Sequence, residues 1–148
     1  MRTIALRFSD SFAPPVGTIG AHQSLIDQYG YVWFGKLGLP VSDKAVDYIF
    51  RSDSPKILLI HSGTAKRYWA YVKVIQRTCP PIILIPEYYR DNAENFHTWF
   101  LVTAFENADK DVLSKYKVLS SGKTLSSVSR SSMSPYFIIE EEESHELG

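Results

Sequence analysis

The chain predicts an α+β fold, a small mixed β-barrel of about six short strands with about two or three short helices packed outside. Three observations carry this. Strand-like runs rich in β-branched and aromatic residues outnumber helical ones, and they do not alternate with helices as in a doubly wound parallel sheet. Lys56–His61 and Arg67–Ile75 are two such runs separated by a short turn containing Gly63, the pattern of a β-hairpin. No repeat period appears, and 148 residues suffice for one domain with its own core. We assign residues 1–139 to that domain. Residues 140–148, EEEESHELG, read as an acidic disordered tail or the start of a linker.

Taken in order, Thr3–Phe8 is the first expected strand and Ser9–Gly20, rich in Ser, Pro and Gly, a loop. Thr18 is placed to cap a helix over Ile19–Gln28 that Gly30 ends. Tyr31–Lys36 alternates rings as a second strand, broken by Gly35, Gly38 and Pro40. Ser42 is a good N-cap, Asp43 suits a first turn, and the stripe Val41, Ala45, Val46 and Ile49 predicts a helix over Asp43–Phe50. Beyond the hairpin, Thr78–Pro86 holds Pro80, Pro81 and Pro86 and is irregular or at best an edge strand. Glu87–Phe96 is polar, with room for a helical turn; His97–Phe105 is the longest strand after the hairpin. Asp109 can cap a short helix through Tyr116, and Lys117–Leu119 is a brief strand. Ser120–Ser134 is a long serine-rich loop whose Leu125, Val128 and Met133 pack parts of it down, and Tyr136–Ile139 is the last strand.

Composition excludes several classes. No segment approaches the roughly 18 apolar residues of a membrane span. The opening residues MRTIALRFSD lack the apolar run of a signal peptide, and Cys79 is the single cysteine, so a reducing cytoplasm is expected and no internal disulfide forms. Four scattered histidines show no zinc-ligand spacing, so neither metal nor cofactor is expected. Sixteen basic against sixteen acidic residues argue against a protein that coats duplexes by charge alone. The distribution is uneven, however. Ser54–Pro86 carries five basic residues and Val112–Ile139 four, neither stretch holding an acid, so a neutral protein gains a positive face if the two meet.

The aromatic content of 14% is high, and rings serve both cores and stacking sites. Along the returning hairpin strand, Tyr68, Ala70, Val72 and Val74 point one way, while Trp69, Tyr71, Lys73 and Ile75 point the other. Trp33 and Trp99 sit in strands of similar alternation. His61 beside Ser62 invites a nucleophile reading, but neighbours on a strand face opposite sides and the G-x-S-x-G elbow is missing. Ser62 and the amides of Gly63 and Thr64 are better read as hydrogen-bond partners for a ligand edge or phosphate. Gly122-Lys123-Thr124 looks like the end of a phosphate loop, yet Lys117 stands where that loop needs glycine. Serines with Lys123 and Arg130 can still contact phosphates. Tyr88-Tyr89-Arg90-Asp91 forms either a lid over a pocket or a packed turn.

These residues together resemble the PUA-like superfamily, in particular its EVE-type branch. The resemblance rests on five features in order: a first strand, the ring-rich strand Tyr31-Val32-Trp33-Phe34-Gly35, the aliphatic strand and polar turn Ile57–Gly63, the return Ala70–Ile75, and the Trp-bearing strand His97–Phe105. It spans most of residues 1–140. It implies a small barrel that binds nucleic acid, in a group that includes readers of a flipped, often modified base and the base-reading domains of modification-dependent restriction systems. By position it makes Trp33, Ser62, Trp69 and Trp99 pocket residues. The chain departs from the pattern at Arg67-Tyr68-Trp69, where small residues are usual, and in its long serine loop.

The expected function is therefore a nucleic-acid-binding module with no catalytic group of its own. Trp33, Ser62, Gly63, Trp69 and Trp99 would form the base pocket, and Lys66, Arg67, Lys123 and Arg130 would hold flanking phosphates. DNA and RNA both remain open as partners, as do a homodimer, a partner protein and a fused effector domain. The alternative is a protein-interaction or oligomerisation domain using exposed aromatics such as Trp69. A hydrolase with His61 or His97 as base is the weakest reading.

Overall fold

The computed structural model describes residues 1–132 and 134–142, so residues 143–148 of the expected tail, and Met133, lie outside the described residues. Seven strands form one sheet: Arg2–Phe8 (β1), Val32–Leu37 (β2), Lys56–His61 (β3), Arg67–Gln76 (β4), Phe96–Asn107 (β5), Tyr116–Val118 (β6) and Tyr136–Glu141 (β7). Their order is β2-β5-β4-β3-β1-β7-β6. All neighbours run antiparallel except β1 and β3, and that parallel pair needs a long crossover. Helices Gly17–Tyr29 (α1) and Asp43–Phe50 (α2), with β2 between them, supply it. Helices Val112–Lys115 (α3) and Leu125–Ser131 (α4) frame β6, and 3-10 stretches Ile82–Leu84 and Glu87–Asn95 link β4 to β5. No helix among the described residues is long and apolar enough to cross a membrane.

The α+β class holds, but the barrel does not close. The β4–β5 ladder shifts register between Tyr71 and Val72 and again between Val72 and Val74, and such irregularities bend a sheet. The bend carries β2 round toward the start of β7. There the Lys36 ammonium sits 5.5 Å from the Tyr136 ring centroid, and the Ser42 amide donates to the Tyr136 hydroxyl at 3.2 Å. Among the described residues no ladder joins β2 to β1, β7 or β6. The reason lies in register: β7 pairs with Arg2–Leu6 only, so Arg7 and Phe8 run on past it without a partner on that side.

Three apolar clusters fill the interior. The largest, around Ile4, Phe34, Ile49, Leu59 and Phe100, lies between the sheet and helices α1 and α2. A second, around Leu58, Trp69, Tyr116 and Leu125, lies under α3 and α4, and a third gathers Trp33, Ile85, Tyr89, Phe96 and Trp99 beneath the 3-10 stretches.

Local chemistry explains where the elements differ from expectation. Helix α2 forms as read, with the Ser42 hydroxyl accepting from the Ala45 amide. Thr18 does not cap α1; the helix starts at Gly17, and the Asp10 carboxylate accepts from the Thr18 amide at 2.9 Å. The serine-rich loop contains α4, anchored by the fully buried Leu125. Hydroxyls of Ser127, Ser129 and Ser131 donate back to carbonyls three or four residues earlier. Proline leaves residues 78–86 without a strand. Glu140 and Glu141, expected in the tail, continue β7, where Glu140 pairs with Arg2 at 3.1 Å and Lys117 at 3.7 Å.

Candidate functional site

Where the sheet fails to close, a cavity of about 660 Å³ opens. Its walls are Leu6–Ser9 at the end of β1, Phe34–Leu37 of β2, Ser134 and Pro135 before β7, and the 3-10 stretch from Tyr88 to Phe96. Phe12 stands at its rim, 88% exposed, the most exposed of the large apolar side chains. The volume is in the usual range for a small-molecule pocket. Rings dominate the lining. Tyr89 lies 4.7 Å from Tyr88 and 4.7 Å from Phe96 between centroids, so the wall is one packed aromatic block. Gly35 lets β2 approach that block; a Cβ there would fall 2.7 Å from Cδ1 of Phe96.

The polar lining comes from Ser9, Thr18, Asn92, Asn95 and Ser134, with Arg7 and Lys36 as the cations, and among the described residues no carboxylate lines the cavity. The Tyr88 hydroxyl is buried with no hydrogen-bond partner among the described residues, and burial raises its pKa. Behind the wall, His22 of α1 is fully buried, its Nδ1 2.7 Å from the Thr18 carbonyl and its ring 5.1 Å from Tyr89. Burial pushes its pKa down to about 4, so the imidazole is neutral and its Nε2 carries an unmet lone pair.

The rim loop is tied down at Asp10. Besides accepting from the Thr18 amide, this carboxylate takes the Nε2 of His61 at 2.6 Å, and the pair holds its pKa down at about 2, the amide contributing most. His61 Nδ1 meets the Thr64 hydroxyl at 2.8 Å, and the Ser62 amide donates to the Phe8 carbonyl at 2.8 Å. The hairpin turn therefore grips the end of β1 and the loop carrying Phe12. His61 serves as a brace, and Ser62 is not among its partners.

The seven-stranded α+β sheet is consistent with what family comparison finds. The Pua-like family model covers residues 4–143. The chain belongs to the Pua-like family. Domains of this family generally bind RNA or other nucleic acid and are typically binding modules rather than catalysts. Among curated proteins and solved structures, nothing matches this chain.

In this Pua-like domain none of the three tryptophans lines the cavity, which corrects the expectation that they converge on an open site. Trp33 (8% exposed) and Trp99 (0%) do come together, but behind Phe96 and Tyr89, as the support of the wall. Trp69 (6%) belongs to a different cluster, under the Lys56 ammonium at 4.3 Å and against Tyr116. An indole carries a large apolar surface that burial favours, and alternation alone does not say which face of a curled sheet is open. With Trp69 covered, the interface reading also loses the ring it relied on. Ser62 and Gly63 are exposed at the turn, Gly63 in the left-handed region at φ 79°. Lys66 is exposed beside them, while Arg67 donates to the carbonyls of Thr64 and Lys66. Lys123 sits in the turn before α4, and Arg130 on α4 donates to the Ser126 carbonyl. Helix α4 is joined to the cavity by Arg7, whose guanidinium donates to the Ser129 carbonyl.

The residues missed by sequence reasoning are Phe8, Phe12, Asn92, Asn95, Phe96, Arg7 and Lys36. Two signals pointed to them: Phe12 in a loop of Ser and Pro, and the Tyr88-Tyr89 pair, which is a packed part of the cavity wall and not a lid.

Proposed function

We propose that this Pua-like domain receives one base swung out of its stack, modified bases included, in the cavity between β1, β2 and the Glu87–Asn95 stretch. The observation that carries the reading is the lining itself: a ring block for stacking, with amide and hydroxyl groups in the same space. Extruding a base costs a few kcal/mol, and stacking at about 1–3 kcal/mol per base, with edge hydrogen bonds, offsets it. Among the described residues the outer edge of β2 has no strand partner, so its backbone groups can read a base edge, as can Asn92 and Asn95. Ser62 and Gly63 contribute from the rim. Lys66 and Arg67 hold flanking phosphates from the turn that grips β1, and Lys123 and Arg130 do so from the α4 side. Within the family this is the role of an EVE-type base reader, acting in the cytoplasm, with any chemistry left to a partner or fused effector.

Phe12 gives the sharpest test. Because the ring is 88% exposed, Phe12→Ala leaves folding unchanged and isolates binding. In anisotropy titrations with labelled single-stranded and mismatched duplex oligonucleotides, carrying modified or unmodified bases, the variant should bind about tenfold more weakly. A wild-type protein that binds none of them at low salt would refute the reading.

A further inference from the structure

Two cations, Arg7 and Lys36, line the cavity, and among the described residues no carboxylate does. Lys36 is only 7% exposed, and its ammonium donates to the carbonyls of Leu37 at 3.1 Å and Leu39 at 2.6 Å. An ammonium has three protons, so one is left, and no further acceptor for it exists among the described residues. Nor does any carboxylate among them lie within ion-pair distance of Lys36. Arg7, half-buried, also has no acidic partner among the described residues: its guanidinium donates to the Ser129 carbonyl and lies 5.4 Å from the Phe137 ring centroid, with further N–H groups left. The one carboxylate near the rim, Asp10, is committed to Thr18 and His61.

Burying a charge without an ionic partner is costly, and an incoming anion would offset that cost. Carbonyl dipoles and the Tyr136 ring soften that cost for Lys36 but do not neutralise it, and desolvation accordingly lowers its pKa. An anionic oxygen entering the cavity would take the third proton in a water-poor setting, where such a bond is strong.

We infer that the cavity selects an occupant carrying its own negative charge, with Lys36 as the specificity-determining residue that meets an anionic oxygen and Arg7 supporting it. This rests on the base-binding reading and narrows it. Two sources of the oxygen share this chemistry: a phosphate of the extruded nucleotide, and a carboxylate borne by a modified base.

The test is calorimetric titration of the wild-type protein with the common nucleosides, their 5′-monophosphates, and 5-carboxycytidine, repeated with Lys36→Met. The charged probes should bind the wild type about tenfold or more tightly than the neutral ones, and the preference should fall to about twofold or less in the variant. Whichever charged probe carries the preference identifies the source. In the wild type the Lys36 side-chain carbon shifts, followed by NMR against pH, should move to a higher pKa when that probe is added, a readout that does not require the variant to fold. Equal binding of neutral and charged probes would overturn this inference and leave the base-binding reading standing. A preference that survives in Lys36→Met, or a Lys36 titration unmoved by the probe, would overturn the assignment to Lys36. Absence of binding by every probe would overturn both.

Discussion

Gly35 has no room for a side chain. A Cβ would lie 2.7 Å from Phe96 Cδ1 and 2.9 Å from Trp99 Cζ3, and Trp99 is fully buried, so the rings cannot both retreat. Gly35→Ala should cost about 1–3 kcal/mol in urea unfolding and weaken oligonucleotide binding beyond that of a correctly folded protein, because Phe96 is a wall of the cavity. Unchanged stability would contradict this packing. His22 makes a pH prediction. Its folded pKa, depressed by burial to about 4, lies below the value of about 6.5 expected when unfolded. Between those values the unfolded chain binds a proton that the folded one refuses, so stability is complete above about pH 6.5 and falls as pH drops toward 4, by about 3 kcal/mol at most. Asp10 acts in the same sense but at lower pH. Held at about 2 by the Thr18 amide and then His61, it keeps its contribution until the pH falls below about 4. Urea midpoints measured between pH 7 and 4.5 should therefore decline in the wild type and stay nearly flat in His22→Leu. A flat wild-type profile would show that His22 is not held neutral.

Among the elements, the α1 start, the β1 end and the β3–β4 turn act as one unit through Asp10. Removing that carboxylate frees the Thr18 amide and His61 together, so Asp10→Ala should cost about 1–2 kcal/mol. Amide exchange should accelerate at Thr18 and Ser62 while the amides of β5 stay protected; a uniform change across the sheet would mean the tie is not local. Elements were legible in the sequence where their signals were local. Ser42, Asp43 and the apolar stripe of α2 are all within one short segment, and α2 forms over the residues they marked. Helix α4 was hidden because serine satisfies its own backbone equally well in loops and in helices, and only the spacing of Leu125 and Val128 betrayed it. The cap of α1 was hidden for a different reason: its acceptor, Asp10, lies eight residues before Thr18, beyond the reach of a local capping pattern.

At the scale of the whole molecule, the feature that matters is the seam. A sheet that bends but leaves β2 unpaired against β1 and β7 opens the cavity, and the Phe12 loop and the Glu87–Asn95 stretch complete its walls. This is why the site was less legible than the family. Strand order and ring-rich strands carry the Pua-like pattern over residues 4–143, but the cavity residues come from segments far apart in sequence, Phe8 and Phe12, Lys36, Asn92 to Phe96, and Ser134. No spacing connects them; only the closing curvature does. The tryptophans drew attention because they are large, and their size is what commits them to the interior behind the wall. Shift mapping by amide NMR during titration with a short single-stranded oligonucleotide tests the central claim most directly. The account predicts the largest shifts at Phe8, Ser9, Gly35, Leu37, Asn92 and Asn95, around the cavity. Shifts confined to the sheet's far edge at β6 and α3, with those residues silent, would contradict it.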